Sequence, residues 1–294
     1  MSLMSRAAVL LKQSTQHRLL STSAAGLSAA LSSASDKQEI KWVFLGPPGV
    51  GKGTYASRVA KLLGVPHIAT GDLVREEVKR GTDLGRKMQD IVNQGHLLTD
   101  SLILEVLYRR LESGKTAGEK GFVLDGFPRT HAQAQELLSC ADVGLAVNLQ
   151  LREEVLLEKC MGRRNCTHCG KGYNIADIHL PASNGFPEII MPPLSAPPEC
   201  IPHLQTREDD TEKVIRARLA AYNAQSAPVE KYFRTKGKLL EFQISGGIPE
   251  TLPNLLAALQ PWIPRPPTAA PHVIPAEVAD RQAKAGAKVA VAGL

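Results

Sequence analysis

The chain has 294 residues, of which 43% are hydrophobic and 22% charged. This is enough material for a large core, and it excludes a disordered protein or a small disulfide-stapled one. The apolar segments are shorter than the roughly 20 residues that a membrane-spanning helix needs, so we expect no membrane partner. Of the net charge of +6, residues 1–35 carry +3 and residues 264–294 carry +2, which leaves +1 for residues 36–263. We therefore expect no nucleic-acid partner either.

Residues 1–35 have the composition of a targeting segment. They contain eleven Ser or Thr, seven Ala and no Asp or Glu, which is typical of an organellar transit peptide. We expect import into the plastid stroma or the mitochondrial matrix; a terminus without a targeting role is the alternative. Residues 264–294 are rich in Pro and Ala, which predicts a mobile C-terminal tail. Residues 36–263 are then the folded core.

The core alternates short apolar runs with segments of helical periodicity. Residues 41–45 predict a buried strand, which a glycine-rich turn and a helix over 52–63 follow. Further strands are predicted over 121–125, 145–149 and 238–244, and further helical segments over 72–113, 130–140 and 210–233. This alternation is typical of an α/β fold, in which a parallel sheet carries helices on both faces.

Residues 163–206 interrupt this alternation. They carry seven prolines and a Cys-x-x-Cys pair, with little periodicity of either kind. We interpret the segment as an irregular lid inserted between two helices of the core.

The segment Gly46-Pro-Pro-Gly-Val-Gly-Lys52-Gly-Thr54 lies between a predicted strand and a predicted helix, as a phosphate-binding loop requires. Glycines let successive N–H groups turn toward an anion, the helix N-terminus adds its dipole, and Lys52 adds positive charge. Gly53 stands where this pattern usually has Ser or Thr, so the hydroxyl that holds Mg²⁺ is absent or comes from Thr54. A glycine-rich turn with an incidental lysine is the alternative.

Carboxylates and arginines recur where the predicted elements end. Thr70-Gly-Asp72-Leu-Val-Arg75 begins a helix, and Asp125-Gly-Phe-Pro-Arg129 follows a strand at the edge where such sheets bind ligands. The insert is bordered by five more arginines: Arg163, Arg164, Arg207, Arg216 and Arg218. Each arginine alone is typical of a solvated surface, but beside a phosphate loop they predict a clamp for a phosphoryl group.

With these motifs the sequence resembles the adenylate kinases, in the long form with a large lid, from about Lys41 to Leu259. The blocks that match, in the family's order, are 46–54, 70–72, 125–129, 162–164 and 206–210. The resemblance implies a P-loop nucleoside monophosphate kinase fold with a small helical AMP-binding lobe at 69–98 and a lid at 163–206. It also implies a plant-like organellar enzyme that transfers a phosphoryl group reversibly from ATP to AMP, giving two ADP, in adenine nucleotide homeostasis.

The resemblance further implies roles for individual residues. The catalytic set would be Lys52, Arg129, Arg163, Arg207 and Arg218. The ATP-binding set would be Gly49, Val50, Gly51, Lys52, Gly53, Thr54, Arg163, Tyr173 and Ile248. The AMP-binding set would be Thr70, Arg75, Leu97, Leu98, Gly126, Arg129, Gln133, Arg207 and Arg218. Asp125 would orient a water on the Mg²⁺ that accompanies ATP, and Lys159 stands where the family has an arginine. ATP, AMP and ADP are the expected partners of a monomer.

The cysteines of the insert are a candidate structural zinc site. Cys166-x-x-Cys169 and Cys200-x-x-His203 have ligand types and spacing compatible with tetrahedral zinc. Some long-form adenylate kinases hold their lids with a similar site, although their second pair is Cys with Cys or Asp and their intervening segment is shorter. His168 offers a competing nitrogen. A lid with reduced cysteines and no metal is the alternative.

Other functions would use much of the same sequence. A kinase for another nucleoside monophosphate, or a GTP:AMP phosphotransferase, differs only in the residues that contact the base, where Thr70 and Gln133 favour adenine by resemblance. A GTPase would need Asn-Lys-x-Asp, which the chain lacks. A nucleic-acid-binding zinc ribbon would need a basic or aromatic surface, whereas residues 167–178 contain one lysine and one tyrosine.

Overall fold

The computed structural model describes residues 39–93, 98–183, 187–207 and 210–263. The expected transit peptide, 1–35, and the C-terminal tail, 264–294, therefore lie outside the described residues, and so does Leu97. Among the helices within these ranges, none is both long and apolar enough to cross a membrane.

The described ranges contain ten strands and eight α-helices. The strands are β1 Ile40–Leu45, β2 His67–Ala69, β3 Gly121–Asp125, β4 Leu145–Gln150, β5 Arg163–Cys166, β6 Gly172–Asn174, β7 Ile178–Leu180, β8 Ile189–Met191, β9 Leu204–Gln205 and β10 Leu239–Gln243. The helices are α1 Lys52–Leu63, α2 Thr70–Arg80, α3 Asp83–Asn93, α4 Asp100–Thr116, α5 His131–Cys140, α6 Glu153–Met161, α7 Glu212–Thr235 and α8 Ile248–Leu259. Two 3₁₀ helices, Pro198–His203 and Gln260–Trp262, complete the set.

The central sheet has five parallel strands in the order β10, β4, β1, β3, β2. Val43 in β1 lies opposite Leu124 in β3 and Ala146 in β4. The chain builds one half of the sheet, β2 and β3, on one side of β1 before it crosses to β4 and β10. Such a reversal opens a crevice at the carboxyl ends of the strands, where α/β sheets bind their ligands. The predicted α/β fold is confirmed.

Both faces of the sheet are buried, and alternate residues of β1 show this directly. Trp42 and Phe44 belong to a cluster on the face that α1 and α8 cover, where Leu255 also packs. Val43 points to the other face, toward Phe233 of α7 and the helices α4 and α5. Burial of one such side chain contributes about 1.5–3 kcal/mol, so these layers supply most of the driving force for folding.

Local sequence signals set the ends of the helices. Helix α1 stops at Gly64, which has a φ of 67° and adopts the left-handed conformation that terminates helices. Helix α5 starts after Thr130, whose hydroxyl accepts a hydrogen bond from the Gln133 N–H. Thr211 caps α7 in the same way through the Val214 N–H. These caps satisfy N–H groups that lack a partner within the helix.

A small lobe with its own apolar cluster lies beside the sheet. Helices α2 and α3 pack against the first turns of α4, and Met88 is fully buried between them. Leu84, Leu102 and Val106 complete this cluster, and Leu98 packs against it. The arrangement fits the expected lobe at 69–98, whose boundaries stay a prediction.

The insert contains more regular structure than its sequence predicts. Strands β6, β5 and β9 form an antiparallel sheet in that order, and β7 and β8 form a separate hairpin. Each of these strands has two to four residues, which is too few to show the alternation that marks a longer strand. The expectation of an irregular lid was therefore wrong in this respect.

The hairpin of β7 and β8 packs on the core of the protein. The Gly247 N–H donates to the Ile190 carbonyl at 3.1 Å, which joins β8 to the start of α8. Arg152, which is 8% exposed, donates to the Ser183 hydroxyl at 2.7 Å. The hairpin contributes three buried side chains to the cluster of Trp42 and Phe44: Ile178, Ile189 and Met191. The insert therefore has a part that belongs to the main core and a second part that carries its own small sheet.

Two neighbouring residues of β8 test this packing. Ile189 is 2% exposed and Ile190 is 52% exposed. We expect Ile189→Ala to lower the free energy of unfolding by about 2–5 kcal/mol, because it removes buried methyl groups and leaves a cavity. Ile190→Ala should change it by less than about 0.5 kcal/mol. Denaturant titrations of both variants measure the difference, and equal effects would contradict the packing.

Candidate active site at the glycine-rich loop

The glycine-rich loop joins β1 to α1 and packs tightly against two neighbouring elements. A Cβ atom at Gly46 would lie 2.5 Å from the Leu149 carbonyl oxygen in β4, and one at Gly49 would lie 2.6 Å from the Leu156 carbonyl oxygen in α6. Both glycines also have positive φ, 137° and 84°. Only glycine fits these positions. The loop is thus held at the carboxyl end of the sheet, where Val50 is fully buried and Gly51 precedes α1.

Lys52, the first residue of α1, folds back over this loop. Its Nζ donates to the Gly46 carbonyl at 2.7 Å and to the Pro47 carbonyl at 3.0 Å. Burial lowers the pKa of Lys52 from 10.5 to about 8, and the Asp125 carboxylate only partly opposes this. The helix N-terminus lies at the same point and favours negative charge. An anion bound there would accept hydrogen bonds from the lysine and stabilise its charged form.

Gly53 and Thr54 occupy the first turn of α1. A Cβ at Gly53 would lie 3.1 Å from Oδ2 of Asp125. A side chain at this position, where phosphate loops usually have Ser or Thr, would therefore crowd the Asp125 carboxylate. Asp125 ends β3 and its side chain is 14% exposed, with His67 Nε2 at 3.8 Å. The carboxylate therefore lies beside the loop at the crevice of the sheet.

Cationic side chains converge on the loop from several elements. The pKa of Arg129 is lowered by burial and by the nearby charge of Arg218, which α7 carries. The pKa of Lys52 is lowered further by Arg129 and Arg163. Because like charges lower each other's pKa only at short range, these shifts show that the side chains lie close together. The result is a region of concentrated positive charge.

Arg163 and Arg207 reach the same region from the two ends of the insert. Arg163 Nε donates to Asp210 Oδ2 at 2.8 Å, and the side chain of Asp210 is fully buried. Burial lowers the pKa of Arg207, as do the neighbouring charges of Arg163 and Arg75. Asp210 was not among the candidate site residues, although it lies in the block 206–210 that carries the resemblance. Its carboxylate fixes one arginine of the site.

The second half of the site lies between β3 and the small lobe. The Thr70 hydroxyl donates to the Asp125 carbonyl at 3.3 Å, which ties the start of α2 to the end of β3. Gly126 has a φ of 81°, and its carbonyl accepts from Arg129 Nε at 2.8 Å. Arg75 forms an exposed ion pair with Asp72 on α2. The structure therefore brings together the candidate residues of α2 and of the turn after β3.

Gln133 is buried behind this turn. Its Oε1 accepts from the Arg129 N–H at 2.7 Å, and its Nε2 donates to Oδ1 of Asp100 at 2.7 Å. Leu98, at the edge of the small lobe, is partly buried. Asp100 was not predicted as a site residue, because a single acidic residue at a helix start reads as a cap or a dipole partner.

The remaining candidates belong to the insert and to α8. Ile248 is the first residue of α8 and packs against the main core cluster. Lys159 lies on α6, where burial lowers its pKa, and its Nζ lies 3.7 Å from Met191 Sδ in β8. Cys160, the next residue, is 1% exposed, and its thiol lies against Gly49 of the loop. The sequence offered no signal for this thiol.

Three cysteines of the insert form a compact cluster. The sulfur atoms of Cys166, Cys169 and Cys200 all lie within 4.8 Å of one another. His203, the fourth predicted ligand, is not part of this group, and its ring stacks on His168 with the centroids 5.4 Å apart. His203 ends the 3₁₀ helix Pro198–His203, which also contains Cys200.

A tyrosine occupies the position beside the cluster where His203 was expected. The Tyr173 hydroxyl lies 3.5 Å from Cys169 Sγ and 3.9 Å from Cys200 Sγ. Tyr173 was predicted to flank the donor adenine. The structure places its hydroxyl on the thiols of the insert.

The sequence was also compared with known proteins. The family model described as adenylate kinase matches residues 44–238. "Adenylate kinase 1, chloroplastic" from Arabidopsis thaliana is 57% identical over 77% of this chain and 80% of that protein. "Probable adenylate kinase 1, chloroplastic" from Oryza sativa subsp. japonica is 53% identical over 80% of each chain. "GTP:AMP phosphotransferase" from Plasmodium falciparum is 34% identical over 70% of this chain and 90% of that protein.

The family match over residues 44–238 covers the loop, the crevice and the insert described above. The names of the two plant relatives agree with the organellar location expected from residues 1–35. The resemblance drawn from the motifs is confirmed, and this chain belongs to the adenylate kinase family.

Proposed function

We propose that this enzyme transfers a phosphoryl group reversibly between ATP and AMP at the crevice above β1 and β3. One observation carries the proposal: four cationic side chains lie close together, those of Lys52, Arg129, Arg163 and Arg207. The charges of Arg129 and Arg163 lower the pKa of Lys52, and the charge of Arg163 lowers the pKa of Arg207. Positive charges gathered this closely repel one another unless an anion binds between them. Polyphosphates are the anions that fit a glycine-rich loop at a helix N-terminus.

The donor ATP would bind at the loop itself. Backbone N–H groups from Gly49 to Thr54, including Val50, Gly51 and Gly53, would hold its phosphates, while Lys52 exchanges the carbonyls of Gly46 and Pro47 for phosphate oxygens. Arg163 would contact the same phosphates from the insert. Tyr173 and Ile248 stay candidates for the donor base by resemblance.

The acceptor AMP would bind between β3 and the small lobe. Its phosphate would meet the arginines of α2 and of the turn after β3, and Arg207 and Arg218 would bridge the two nucleotides. Gln133 and Thr70 would contact the base. The full proposed set is Thr70, Arg75, Leu97, Leu98, Gly126, Arg129, Gln133, Arg207 and Arg218.

Adenylate kinases use Mg²⁺ with ATP. Asp125 fits a role toward this ion, because its partly exposed carboxylate lies beside Gly53 and within the field of Lys52. We propose that Asp125 orients water on the ion, as carboxylates do for Mg²⁺ that keeps much of its hydration shell. The ion itself supplies positive charge that neutralises the donor phosphates.

Catalysis would rest on charge and position. The transferred group passes through a transition state whose negative charge is spread over its equatorial oxygens, so the reaction depends little on a general base. Arg129 and Arg163 are held by Gly126 and by Asp210, so they need little reorganisation when that charge develops, whereas Lys52 has already turned to the phosphates when ATP binds. The insert would exclude water, which competes with AMP for the phosphoryl group.

A second candidate function differs in the nucleobase of the donor nucleotide, since a relative is named GTP:AMP phosphotransferase. We favour ATP and AMP because the plant relatives that are more similar to this chain are named adenylate kinases. We further propose that the enzyme is a plastid monomer that binds neither nucleic acid nor a membrane. A zinc ribbon for nucleic acid is not favoured, because the cysteines form part of the insert of this enzyme.

A coupled assay of residues 36–294 tests the function and the site together. ATP and GTP are each offered with AMP, CMP, UMP and GMP, and we expect ATP with AMP to give the highest kcat/KM. Lys52→Met and Arg129→Ala should each lower kcat by about 10²-fold or more, since each removes charge that stabilises the transition state. Lys61→Met, on the exposed end of α1, is the matched control. Near wild-type rates for either site variant would contradict the assignment.

We also propose that the three thiols of the insert hold one structural zinc ion. The donor set fits zinc in three positions, because thiolates are its preferred ligands and the sulfur atoms already lie within 4.8 Å of one another. His203 would not be the fourth ligand in this arrangement, and water or Tyr173 would take that place.

Elemental analysis of protein purified without chelators tests the zinc proposal. We expect about one zinc per chain, and we expect Cys166→Ser to lose it and to lower the melting temperature, because structural zinc contributes to folding. Cys140→Ser, at an exposed cysteine of α5, should change neither quantity. The zinc proposal would be contradicted if the purified protein contains no zinc and Cys166→Ser leaves its melting temperature unchanged.

A further inference from the structure

The side-chain amide of Gln133 is held at both of its polar atoms. The Arg129 backbone N–H donates to Oε1 at 2.7 Å, and Nε2 donates to Oδ1 of Asp100 at 2.7 Å. Gln133 is 3% exposed. Asp100 comes from a different element, because it is the first residue of α4, whereas Gln133 lies on α5.

These two partners allow only one orientation of the amide. A backbone N–H can only donate and an ionised carboxylate can only accept. A 180° turn of the amide would place its NH₂ against the Arg129 N–H and its carbonyl oxygen against the carboxylate, so two hydrogen bonds would be replaced by two repulsions. The orientation of the amide therefore follows from the chemistry of its two partners.

Asp100 is itself well placed to stay in position. It lies at the N-terminus of α4, where the helix dipole favours a negative charge. Its second oxygen, Oδ2, accepts from the Thr130 hydroxyl at 3.3 Å. Thr130 also caps α5, so Asp100 links the two helices that border the turn after β3.

The locked amide has a fixed pattern of remaining hydrogen-bonding groups. Among the described residues, one N–H of Nε2 and one lone pair of Oε1 are without a partner. Adenine presents a 6-amino donor beside a ring-nitrogen acceptor, which matches an amide that offers an acceptor and a donor in this order. A 6-oxopurine presents an acceptor at that position. A freely turning glutamine could reverse itself to suit it, but a locked one cannot.

We propose that Asp100 is a positioning residue that sets the base selectivity of the acceptor site. By fixing the amide of Gln133, it makes the site accept a 6-aminopurine nucleotide and reject a 6-oxopurine nucleotide. This inference rests on the proposed function, in which Gln133 contacts the base of AMP.

The test compares AMP with IMP, which differ at the 6-position and its ring neighbour, in the wild type and in Asp100→Asn. The asparagine has nearly the same shape, but its amide can donate as well as accept, so a turned Gln133 would meet one repulsion, at the Arg129 N–H, instead of two. We expect the ratio of kcat/KM for AMP to that for IMP to fall about 10-fold or more, mainly through the KM of the acceptor. The KM for ATP should stay unchanged.

Two further variants separate positioning from a structural effect. Asp100→Ser also removes the carboxylate that accepts from Gln133 Nε2, so it replaces Asp100→Asn if that variant folds poorly. Glu105→Gln, on the same helix and paired with Arg109 on the surface, should leave the ratio unchanged. If the variants of Asp100 lower kcat/KM equally for AMP and IMP, the residue acts only on structure and the proposal is overturned.

Gln133→Ala distinguishes a failure of the proposed acceptor site from a failure of the role proposed for Asp100. If it leaves kcat/KM for AMP unchanged, Gln133 does not contact the base, and the proposed acceptor site is wrong together with this inference. If it lowers kcat/KM for AMP while Asp100→Asn and Asp100→Ser keep the wild-type ratio, the acceptor site stands and the role of Asp100 is overturned.

Discussion

The site depends on the close packing of the glycine-rich loop against β4 and α6. Side chains at Gly46 and Gly49 would collide with backbone carbonyls of these elements, so the loop can lie this deep only without them. Its position places the partly buried Lys52 ammonium against the loop carbonyls and near Arg129 and Arg163. A bound phosphate offsets the electrostatic repulsion between these positive charges. Because the charges are already in place, they stabilise a transition state whose negative charge is spread over several oxygens.

Much of this arrangement could be predicted from the sequence. The glycine-rich loop has a strong signal, because a buried strand, three glycines, a lysine and a helix occur in a fixed order. Helices α1, α5 and α7 and strands β1, β3 and β4 were predicted within one or two residues, since caps such as Thr211 and terminators such as Gly64 are local features. Helices α6 and α8 were not predicted. Motifs at the strand ends also indicated which arginines would meet. The parallel order of strands explains why residues distant in sequence share one crevice.

What the sequence did not show depends on contacts between distant segments. Strand β2 has three residues, and the strands of the insert have two to four, so their patterns are too short to recognise. The packing of the β7–β8 hairpin on the core depends on Ile189 joining the buried cluster of Trp42 and Phe44, which no local signal encodes. The ligand spacing of Cys200-x-x-His203 also could not show that the His203 ring lies outside the cysteine cluster and stacks on His168. The contact of Asp100 with Gln133 likewise could not be predicted, because it joins two helices that are separate in the sequence, α4 and α5.

The most direct test of this account is the pKa of Lys52 itself, measured by NMR on protein with nitrogen-labelled lysine and assigned with Lys52→Arg. Without nucleotide we expect the ammonium to titrate at about 8, because burial disfavours its charge. With ATP bound, the phosphates should raise the pKa well above that value. A pKa near the ordinary 10.5 in the nucleotide-free enzyme, unchanged by ATP, would contradict a desolvated lysine at the phosphate site.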